Sequence, residues 1–179
     1  MLCAKKYLSP LGVLIMVCDG QNLVGLHFEN APERANKHAK KSAAQREKYV
    51  YGKMNDCEVF ALTERWLDEY FCGRQPDFLP PLKICGTPFF QSVAQALLQI
   101  PYGCTMTYGQ IAAQVCQGKL CAQAVGGAVG GNPLCIVVPC HRVVGAKSLV
   151  GYGGGLNNKI ALLKLEGADL SAFQTDNAD

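Results

Sequence analysis

The chain has 179 residues, of which 49% are hydrophobic and 17% charged, and its formal net charge is +3 at pH 7. These values are ordinary for a globular protein with one domain or two small ones. The sequence lacks both an apolar run of roughly 18 residues, as a membrane span requires, and the pattern of a secretory signal. We therefore expect a cytoplasmic protein, or a nuclear one if the source is eukaryotic, with no membrane partner.

Charge is distributed unevenly along the chain, whereas the cysteines are scattered from Cys3 to Cys140. Residues 1–85 hold 12 basic and 10 acidic side chains, 86–168 hold 5 basic and one acidic, and 169–179 hold three Asp. A segment with almost no carboxylates would not repel the phosphate backbone of DNA, although five cations would attract that backbone only weakly. The ten cysteines form no C-x-x-C pair, so we expect reduced thiols, mostly buried.

The first half of the chain predicts a small sheet and a helix. Apolar runs at 13–17 and 23–28 flank a turn at 19–22 and indicate a β-hairpin. Residues 31–53 hold seven Lys or Arg and predict a mobile basic loop with a solvated surface. Apolar residues at helical spacing over 60–71 predict a packed helix, with Gly73 as a left-handed cap. Four prolines within 76–88 place a domain boundary near 83–86.

The second half predicts helices. Residues 89–100 form the first, and Thr107 with Gln110 has the form of a capping box that starts a helix ending near Val115. A glycine-containing turn and a helix over 120–130 follow, which makes a helix-turn-helix candidate, or a helical pair that binds nothing. The last helix is rich in Ala and Gly. Such small residues suit either tight packing against another helix or close approach to a narrow groove.

The β-branched run at 136–138 predicts a buried strand that ends at Pro139, Cys140, His141 and Arg142. A free thiol has a pKa near 8.5, so a reactive cysteine needs a base or a cationic neighbour. Neighbours on an extended chain point to opposite faces, and His141 can reach Cys140 only if the backbone turns there. By themselves the two residues also fit a buried thiol beside a hydrogen-bonded histidine.

Residues 136–144, IVVPCHRVV, resemble the active-site signature of the 6-O-alkylguanine-DNA alkyltransferases. The resemblance covers essentially the whole C-terminal half, at 86–89, 100–103, 107–110, 124–127, 131–133, 151–152 and 166–167, and touches the N-terminal half at 9–12. The elements and the resemblance together imply an α+β fold. We expect an α/β scaffold domain with an antiparallel sheet at 1–84, a mostly helical, winged-helix-like domain with a helix-turn-helix at 85–168, and a disordered acidic tail at 169–179.

The resemblance implies DNA repair by irreversible transfer of an alkyl group from O6-methylguanine, and from O4-methylthymine, to Cys140. Guanine is the leaving group, no cofactor restores the thiol, and each molecule reacts once. The implied partner is double-stranded DNA, approached from the minor groove by a monomer that flips the damaged nucleotide out of the stack. Some family members bind zinc. The candidate ligands here, Cys3, Cys18, His27 and Cys85, fit no standard spacing, so we predict no metal site.

By similarity, Glu166 orients His141, which deprotonates Cys140 through an ordered water, while Asn132 braces the turn. Tyr108 crowds the rotating phosphate and, with Lys159, assists the leaving guanine. The other substrate or DNA contacts that the resemblance implies are Gln123, Ala124, Gly127, Arg142, Val143, Tyr152 and Gly153.

The chain departs from the family pattern at Gln123, where an arginine usually replaces the flipped base. Glutamine lacks the charged planar fork of arginine, so we expect slow repair of duplex DNA with near-normal reaction toward free 6-O-benzylguanine. The loop 145–151 is one residue shorter than usual, and Gly153 stands where serine is common in some members. Two other functions stay open: a non-catalytic DNA-binding module, such as a lesion sensor or regulator, and a cysteine hydrolase that turns over.

Overall fold

The computed structural model describes residues 2–30, 50–51, 57–116 and 121–173, which form an α+β fold. The strands are β1 (Cys3–Ser9), β2 (Gly12–Cys18), β3 (Leu23–Phe28), β4 (Val50–Tyr51), β5 (Met106–Thr107) and β6 (Val143–Val144). The helices are α1 (Glu58–Phe71), α2 (Pro88–Leu98), α3 (Tyr108–Val115), α4 (Ala122–Gly130) and α5 (Leu156–Leu165), and Cys140–Arg142 is a single 3-10 turn. Within these ranges, no helix has the length and apolar character needed to cross a membrane.

The N-terminal sheet has the strand order β3-β2-β1-β4. The predicted hairpin is confirmed as the antiparallel pair β2 and β3, and Asp19 Oδ1 accepts the N–H groups of Gln21 and Asn22 in its turn. Sequence reasoning missed β1, which pairs antiparallel with β2 along its whole length. Of the predicted loop 31–53, only residues 50–51 are described. They pair in parallel with β1, so this part of the prediction is wrong.

The predicted helix over 60–71 is confirmed as α1. One face buries Val59, Phe60, Trp66, Leu67 and Tyr70 against the sheet and the C-terminal helices, and Gly73 has the left-handed φ of 75° after the helix end. Buried residues from both halves of the chain form one hydrophobic cluster. The division into two domains near 83–86 stays a prediction.

Hydrogen-bonded caps fix the starts of two C-terminal helices. Thr87 Oγ1 accepts the N–H of Phe90 at the start of α2. The capping box of α3 is confirmed, because Gln110 N donates to Thr107 Oγ1 at 3.2 Å and Thr107 N donates to Gln110 Oε1 at 2.7 Å. Helix α4 packs on α2 and α3. The centre of the predicted helix-turn-helix turn, residues 117–120, lies outside the described part of the chain.

The structure corrects two sequence predictions, one about the C-terminal tail and one about the two cysteines in the α3–α4 connection. Residues 169–173 of the predicted disordered tail are ordered, because apolar Leu170 and Phe173 pack on Val144, Leu149 and Leu163. Residues 174–179 lie outside the described residues. The prediction of reduced thiols is wrong for Cys116 and Cys121, which form a disulfide with a Cα–Cα distance of 6.5 Å, within the usual range. The other cysteines are free thiols.

Candidate active site

The segment before Cys140 is a compact turn rather than the predicted strand. Its one ladder contact is at Leu134, which bridges Leu26 of β3 in parallel. Beyond it the chain folds back, since Val138 N donates to Leu134 O at 2.9 Å and Ile136 adopts a φ of 70°. A β-branched residue with positive φ is strained, and such strain persists only when its surroundings fix the backbone. The strand prediction therefore fails because side-chain hydrogen bonds and burial on all sides outweigh β propensity.

Asn132 is the residue that holds this turn together. Its Oδ1 accepts the N–H of Leu134 at 3.0 Å, and its Nδ2 donates to Val138 O at 2.8 Å and to Cys140 Sγ at 3.0 Å. Asn132 is buried, with 6% of its surface exposed. Asn132 therefore bridges two parts of the turn and also contacts the thiol directly.

Cys140 begins the 3-10 turn, so the backbone does turn at this point, and both Cys140 and His141 are buried. The pKa of the Cys140 thiol is lowered by a hydrogen bond from Cys135, with further help from Asn132 and the charge of Lys159, and these effects outweigh the opposing effect of burial. The turn leads directly into β6, which pairs in parallel with β5. Tyr108 follows β5 and lines the same cavity as Cys140.

His141 and Glu166 form the second part of the site. His141 Nε2 and Glu166 Oε1 are 2.6 Å apart, and both side chains are fully buried. Burial lowers the pKa of His141 even though Glu166 opposes the shift, so the ring is neutral near pH 7. Nε2 therefore carries the proton that it donates to Glu166. Nδ1 is left as a basic nitrogen, and it is buried without a hydrogen-bond partner among the described residues.

Glu166 stays ionised because several donors surround its carboxylate. Burial alone would raise its pKa, but His141 and Arg142 lower it to about 2. Arg142 donates from Nε to Oε2 at 2.8 Å and from a terminal nitrogen to Oε1 at 3.1 Å. Tyr70 donates its hydroxyl proton to Oε1 at 2.7 Å. The backbone N–H of Gly103 reaches Oε2, and a Cβ at Gly103 would lie 2.7 Å from the backbone oxygen of Glu166, so only glycine fits.

A cavity of about 560 Å³ opens onto Cys140. Its wall comes from the start of α3, from α4, and from the glycine-rich loop before α5. The lining residues are Tyr108, Gly126, Val129, Gly130, Cys140, Gly151, Tyr152, Gly153, Gly155 and Leu156. Cys140 is 6% exposed, so a reactant reaches its sulfur by entering this cavity.

Family models match most of the chain. Residues 2–84 match the 6-O-methylguanine DNA methyltransferase, ribonuclease-like domain, and residues 88–168 match the 6-O-methylguanine DNA methyltransferase, DNA binding domain. The chain belongs to the 6-O-methylguanine DNA methyltransferase family.

Relatives in this methyltransferase family match over nearly the full length. The methylated-DNA--protein-cysteine methyltransferase of Mycobacterium leprae is 41% identical over 167 residues, 93% of each chain. The crystal structure of Mycobacterium tuberculosis O6-methylguanine methyltransferase superposes with a TM-score of 0.78 at 39% identity, covering 96% of this chain and 98% of that one. The Mycobacterium tuberculosis protein OGT, solved in complex with DNA, superposes with a TM-score of 0.76 at 38% identity, covering 97% and 96%.

Three positions that the family resemblance assigned to substrate or DNA lie elsewhere. Lys159 is fully buried, and its ammonium donates to the backbone oxygens of Val143, Leu149 and Val150. Arg142 is committed to Glu166 and, at 2.7 Å, to Ile100 O. Val143 is buried in β6. None of the three lines the described cavity. The two cations are instead held by internal acceptors, the Glu166 carboxylate and backbone oxygens, as buried charge requires.

The positions expected on the DNA-facing helix do lie on its surface. Gln123, Ala124 and Gly127 are exposed on α4. A Cβ added at Gly126, Gly127 or Gly130 would meet no other atom within 4 Å. Packing against the described part of the chain therefore does not require these glycines, and among those residues the tight-packing alternative is wrong.

Sequence reasoning missed three residues of the site. Tyr70 lies in α1, where its spacing marked it only as a core residue, and Gly103 followed a predicted helix stop. Cys135 was counted only among the buried thiols, although its influence is the largest one that lowers the pKa of Cys140. Only the short separation of Cys135 from Cys140 could have drawn attention to it.

Proposed function

We propose that this protein repairs alkylated DNA by moving the alkyl group from O6 of guanine onto Cys140, irreversibly and without a cofactor. The thiolate attacks the alkyl carbon, an S–C bond forms, and the C–O bond breaks. Guanine leaves with the bonding electrons and takes up a proton. The observation that carries this proposal is a cysteine with a lowered pKa lining a cavity between α3, α4 and the loop 151–156.

The proton of Cys140 has an acceptor nearby in the sequence and in space. Glu166 fixes the proton of the neutral His141 ring on Nε2, which leaves Nδ1 free to act as the base. We propose that one water carries the proton from Cys140 to Nδ1. Glu166 and Arg142 then stabilise the resulting imidazolium. Glu166 thus sets the protonation state of His141, and His141 in turn removes the proton of Cys140.

The leaving guanine needs a hydrogen-bond donor as negative charge develops on it. Tyr108 lines the cavity, and burial raises its pKa, so it retains its proton for donation. Lys159 acts indirectly in this proposal. Its ammonium binds the backbone at residues 143, 149 and 150, and it fixes the loop that precedes the cavity wall.

The thiol is too enclosed to meet a base that is stacked in a duplex. We propose that the damaged nucleotide is flipped into the cavity, at a cost of a few kcal/mol. The exposed small residues of α4 allow its backbone to lie deep in the minor groove, with Gln123 at the position of the vacated base. We further propose that the protein acts as a monomer.

The charge available for phosphate contacts is smaller than the sequence suggested. Of the five cations in 86–168, Arg142 and Lys159 are engaged internally, whereas Lys147 and Lys164 are exposed. Affinity for undamaged DNA should accordingly be moderate, with a shallow dependence on salt. We extend the proposed substrates to O4-methylthymine, which presents an alkyl group on a similar exocyclic oxygen. We also propose that the protein acts in the cytoplasm, or in the nucleus if the source is eukaryotic.

Reaction stoichiometry tests the proposal against its two alternatives. Excess duplex DNA carrying 6-O-methylguanine is incubated with the protein, and methyl groups lost from DNA are counted per protein molecule. We expect a plateau at one. No loss would indicate a sensor that binds without reacting, and continued loss would indicate a turning-over hydrolase. Either result contradicts the proposal.

A further inference from the structure

Tyr70 is a residue of the N-terminal half that reaches the buried pair formed by His141 and Glu166. It lies on the inner face of α1 and is fully buried. Its hydroxyl donates to Glu166 Oε1 at 2.7 Å and lies 3.4 Å from His141 Nε2. Burial and the charge of Glu166 raise the pKa of the Tyr70 hydroxyl far above its ordinary value. The hydroxyl therefore keeps its proton and remains a donor throughout the neutral range.

Aromatic contacts fix the direction of this hydroxyl. The Tyr70 ring stacks on Trp66, with centroids 5.3 Å apart, and meets Phe71 and Tyr102 edge-on at 5.4 and 6.0 Å. It also lies edge-on to the His141 ring, at 6.5 Å between centroids. A side chain that is enclosed on several sides in a packed core has little rotamer freedom. The packing of α1 against the C-terminal half thus holds the Tyr70 donor in place.

Tyr70 and His141 donate to the same oxygen of Glu166. His141 Nε2 is 2.6 Å from Oε1, whereas the Arg142 nitrogen that reaches this oxygen is 3.1 Å away. Two short hydrogen bonds to one oxygen compete for its negative charge. A protonated imidazole draws more of that charge than a neutral one does, so protonation of His141 weakens the bond from Tyr70. By reciprocity, the bond from Tyr70 favours neutral His141, which is the form that can accept a proton.

We propose that Tyr70 is a positioning residue for the general base, whose hydroxyl holds Glu166 Oε1 against His141 Nε2 and shares the negative charge of that oxygen. Tyr70 does not line the cavity at Cys140, so it acts through Glu166. The inference rests on the proposed role of His141 as the base for Cys140. It gives the N-terminal half a part in the reaction, where the sequence predicted only a scaffold.

Several other charged or titratable groups surround the His141 ring. Among the described residues they are Cys140 and Arg142 of the same turn, Tyr152 of the following loop, Lys159 of α5, and Glu166 directly after α5. Burial lowers the pKa of His141, the carboxylate opposes this shift, and the two cations reinforce it. All of these groups are retained when only the Tyr70 hydroxyl is removed. A difference between variants therefore reports that hydroxyl.

The experiment titrates His141 directly by NMR of its ring nitrogens, from about pH 4.5 to 8, a range that spans the ordinary histidine pKa. The chain has three histidines, and the spectrum of His141→Gln assigns the signal. Tyr70→Phe keeps the ring and removes the hydroxyl. Tyr102→Phe is the matched control, because its hydroxyl lies in the same aromatic group but donates to Leu165 O, at 3.5 Å. Reaction with free 6-O-benzylguanine is followed over the same pH range.

We expect the pKa of His141 to rise by roughly half a pH unit in Tyr70→Phe, so that rates of benzyl transfer below the midpoint fall about threefold. Rates should converge at higher pH, where His141 is neutral in every variant. Tyr102→Phe should follow the wild type. In the wild type itself, the neutral ring should carry its proton on Nε2. A merely structural role for Tyr70 would lower stability without moving either midpoint.

Four results would overturn the inference. They are an unchanged or lowered His141 midpoint in Tyr70→Phe, an equal rise in Tyr102→Phe, a rise without a matching shift of the acid limb of benzyl transfer, and a neutral wild-type ring protonated on Nδ1. The last of these needs no variant. Failure of the proposed function gives a different result. If the wild type transfers no benzyl group while the His141 titration still depends on Tyr70, the role of Cys140 is wrong and the effect of Tyr70 on His141 stands.

Discussion

The Glu166 carboxylate and the His141 imidazole are joined by a 2.6 Å hydrogen bond between Oε1 and Nε2, with both side chains fully buried. The same carboxylate accepts two hydrogen bonds from Arg142 and one from Tyr70 of α1. One side chain therefore connects the base of the candidate site with the core that joins the two halves of the chain. Stability and reactivity should depend on it together.

The first prediction concerns the pH dependence of stability. The pKa of Glu166 is about 2 in the folded protein, below its ordinary value of 4.5. A lowered carboxyl pKa contributes stability that is fully present above the unfolded-state pKa and is lost as the pH falls toward the folded-state pKa. Through this group the wild type should lose roughly 2 kcal/mol of unfolding free energy between pH 7 and pH 3. Urea denaturation across this range should show a shallower loss in Glu166→Gln, and parallel curves would contradict the assignment.

The second prediction concerns the amide that braces the nucleophile turn. Asn132→Ala leaves the buried N–H of Leu134 without its partner and removes one of the two hydrogen bonds that the Val138 carbonyl accepts, which should cost about 3 kcal/mol of unfolding free energy. Asn132→Asp keeps the acceptor for Leu134 but places a negative charge beside Cys140. It should therefore be the more stable of the two and yet react slowly with 6-O-benzylguanine at neutral pH. Equal stability of the two variants in urea denaturation would show that the Leu134 hydrogen bond contributes nothing.

The third prediction concerns Gln123, which is exposed on α4. Because arginine can stack and hydrogen bond at once, Gln123→Arg should speed repair of 6-O-methylguanine in duplex DNA, by about tenfold if one charge-assisted contact is gained. Reaction with free 6-O-benzylguanine should not change. Gln75→Arg adds the same charge at an exposed position after α1 and is the matched control. If both variants accelerate duplex repair equally, charge alone explains the effect and the role given to position 123 is wrong.

The fourth prediction concerns the disulfide between Cys116 and Cys121, which links the end of α3 to the start of α4. A loop this short should contribute about 2 kcal/mol to unfolding free energy through the entropy of the unfolded chain. Reduction with dithiothreitol should lower the unfolding midpoint of the wild type. It should have no effect on a Cys116→Ser, Cys121→Ser double variant, whose midpoint should match that of the reduced wild type. An unchanged midpoint on reduction would contradict the expected stabilisation.

Much of the fold was predicted from local sequence patterns, because interactions between residues close in sequence determine several of its elements. The hairpin of β2 and β3, the apolar face of α1 and the capping box at Thr107 each depend on residues within a few positions of one another. Strand β1 was missed because Lys5, Lys6 and Ser9 interrupt its apolar pattern, although pairing with β2 completes the sheet. Its stability comes from a partner strand that no local window contains.

The candidate site, like the fold, was predicted only in part. The resemblance predicted Cys140, His141, Asn132 and Glu166 as one site, and the structure contains hydrogen bonds between Asn132 and Cys140 and between His141 and Glu166. The turn at 134–139 could not be foreseen, because Val and Ile favour strands and only the tertiary contact with Leu26 and the Asn132 hydrogen bonds reverse that preference. The surroundings of Lys159 could not be foreseen for a related reason, since its three backbone acceptors are brought together by the fold.

The most direct measurement of the central claim is the chemical fate of the alkyl group. Duplex DNA carrying 6-O-methylguanine with a radiolabelled methyl group is incubated with the protein, which is then digested and its peptides mapped. We predict one label per protein molecule, on the peptide that contains Cys140, and none transferred to Cys140→Ala. Label on another residue, or label that persists in Cys140→Ala, would contradict the assignment of Cys140 as the alkyl acceptor.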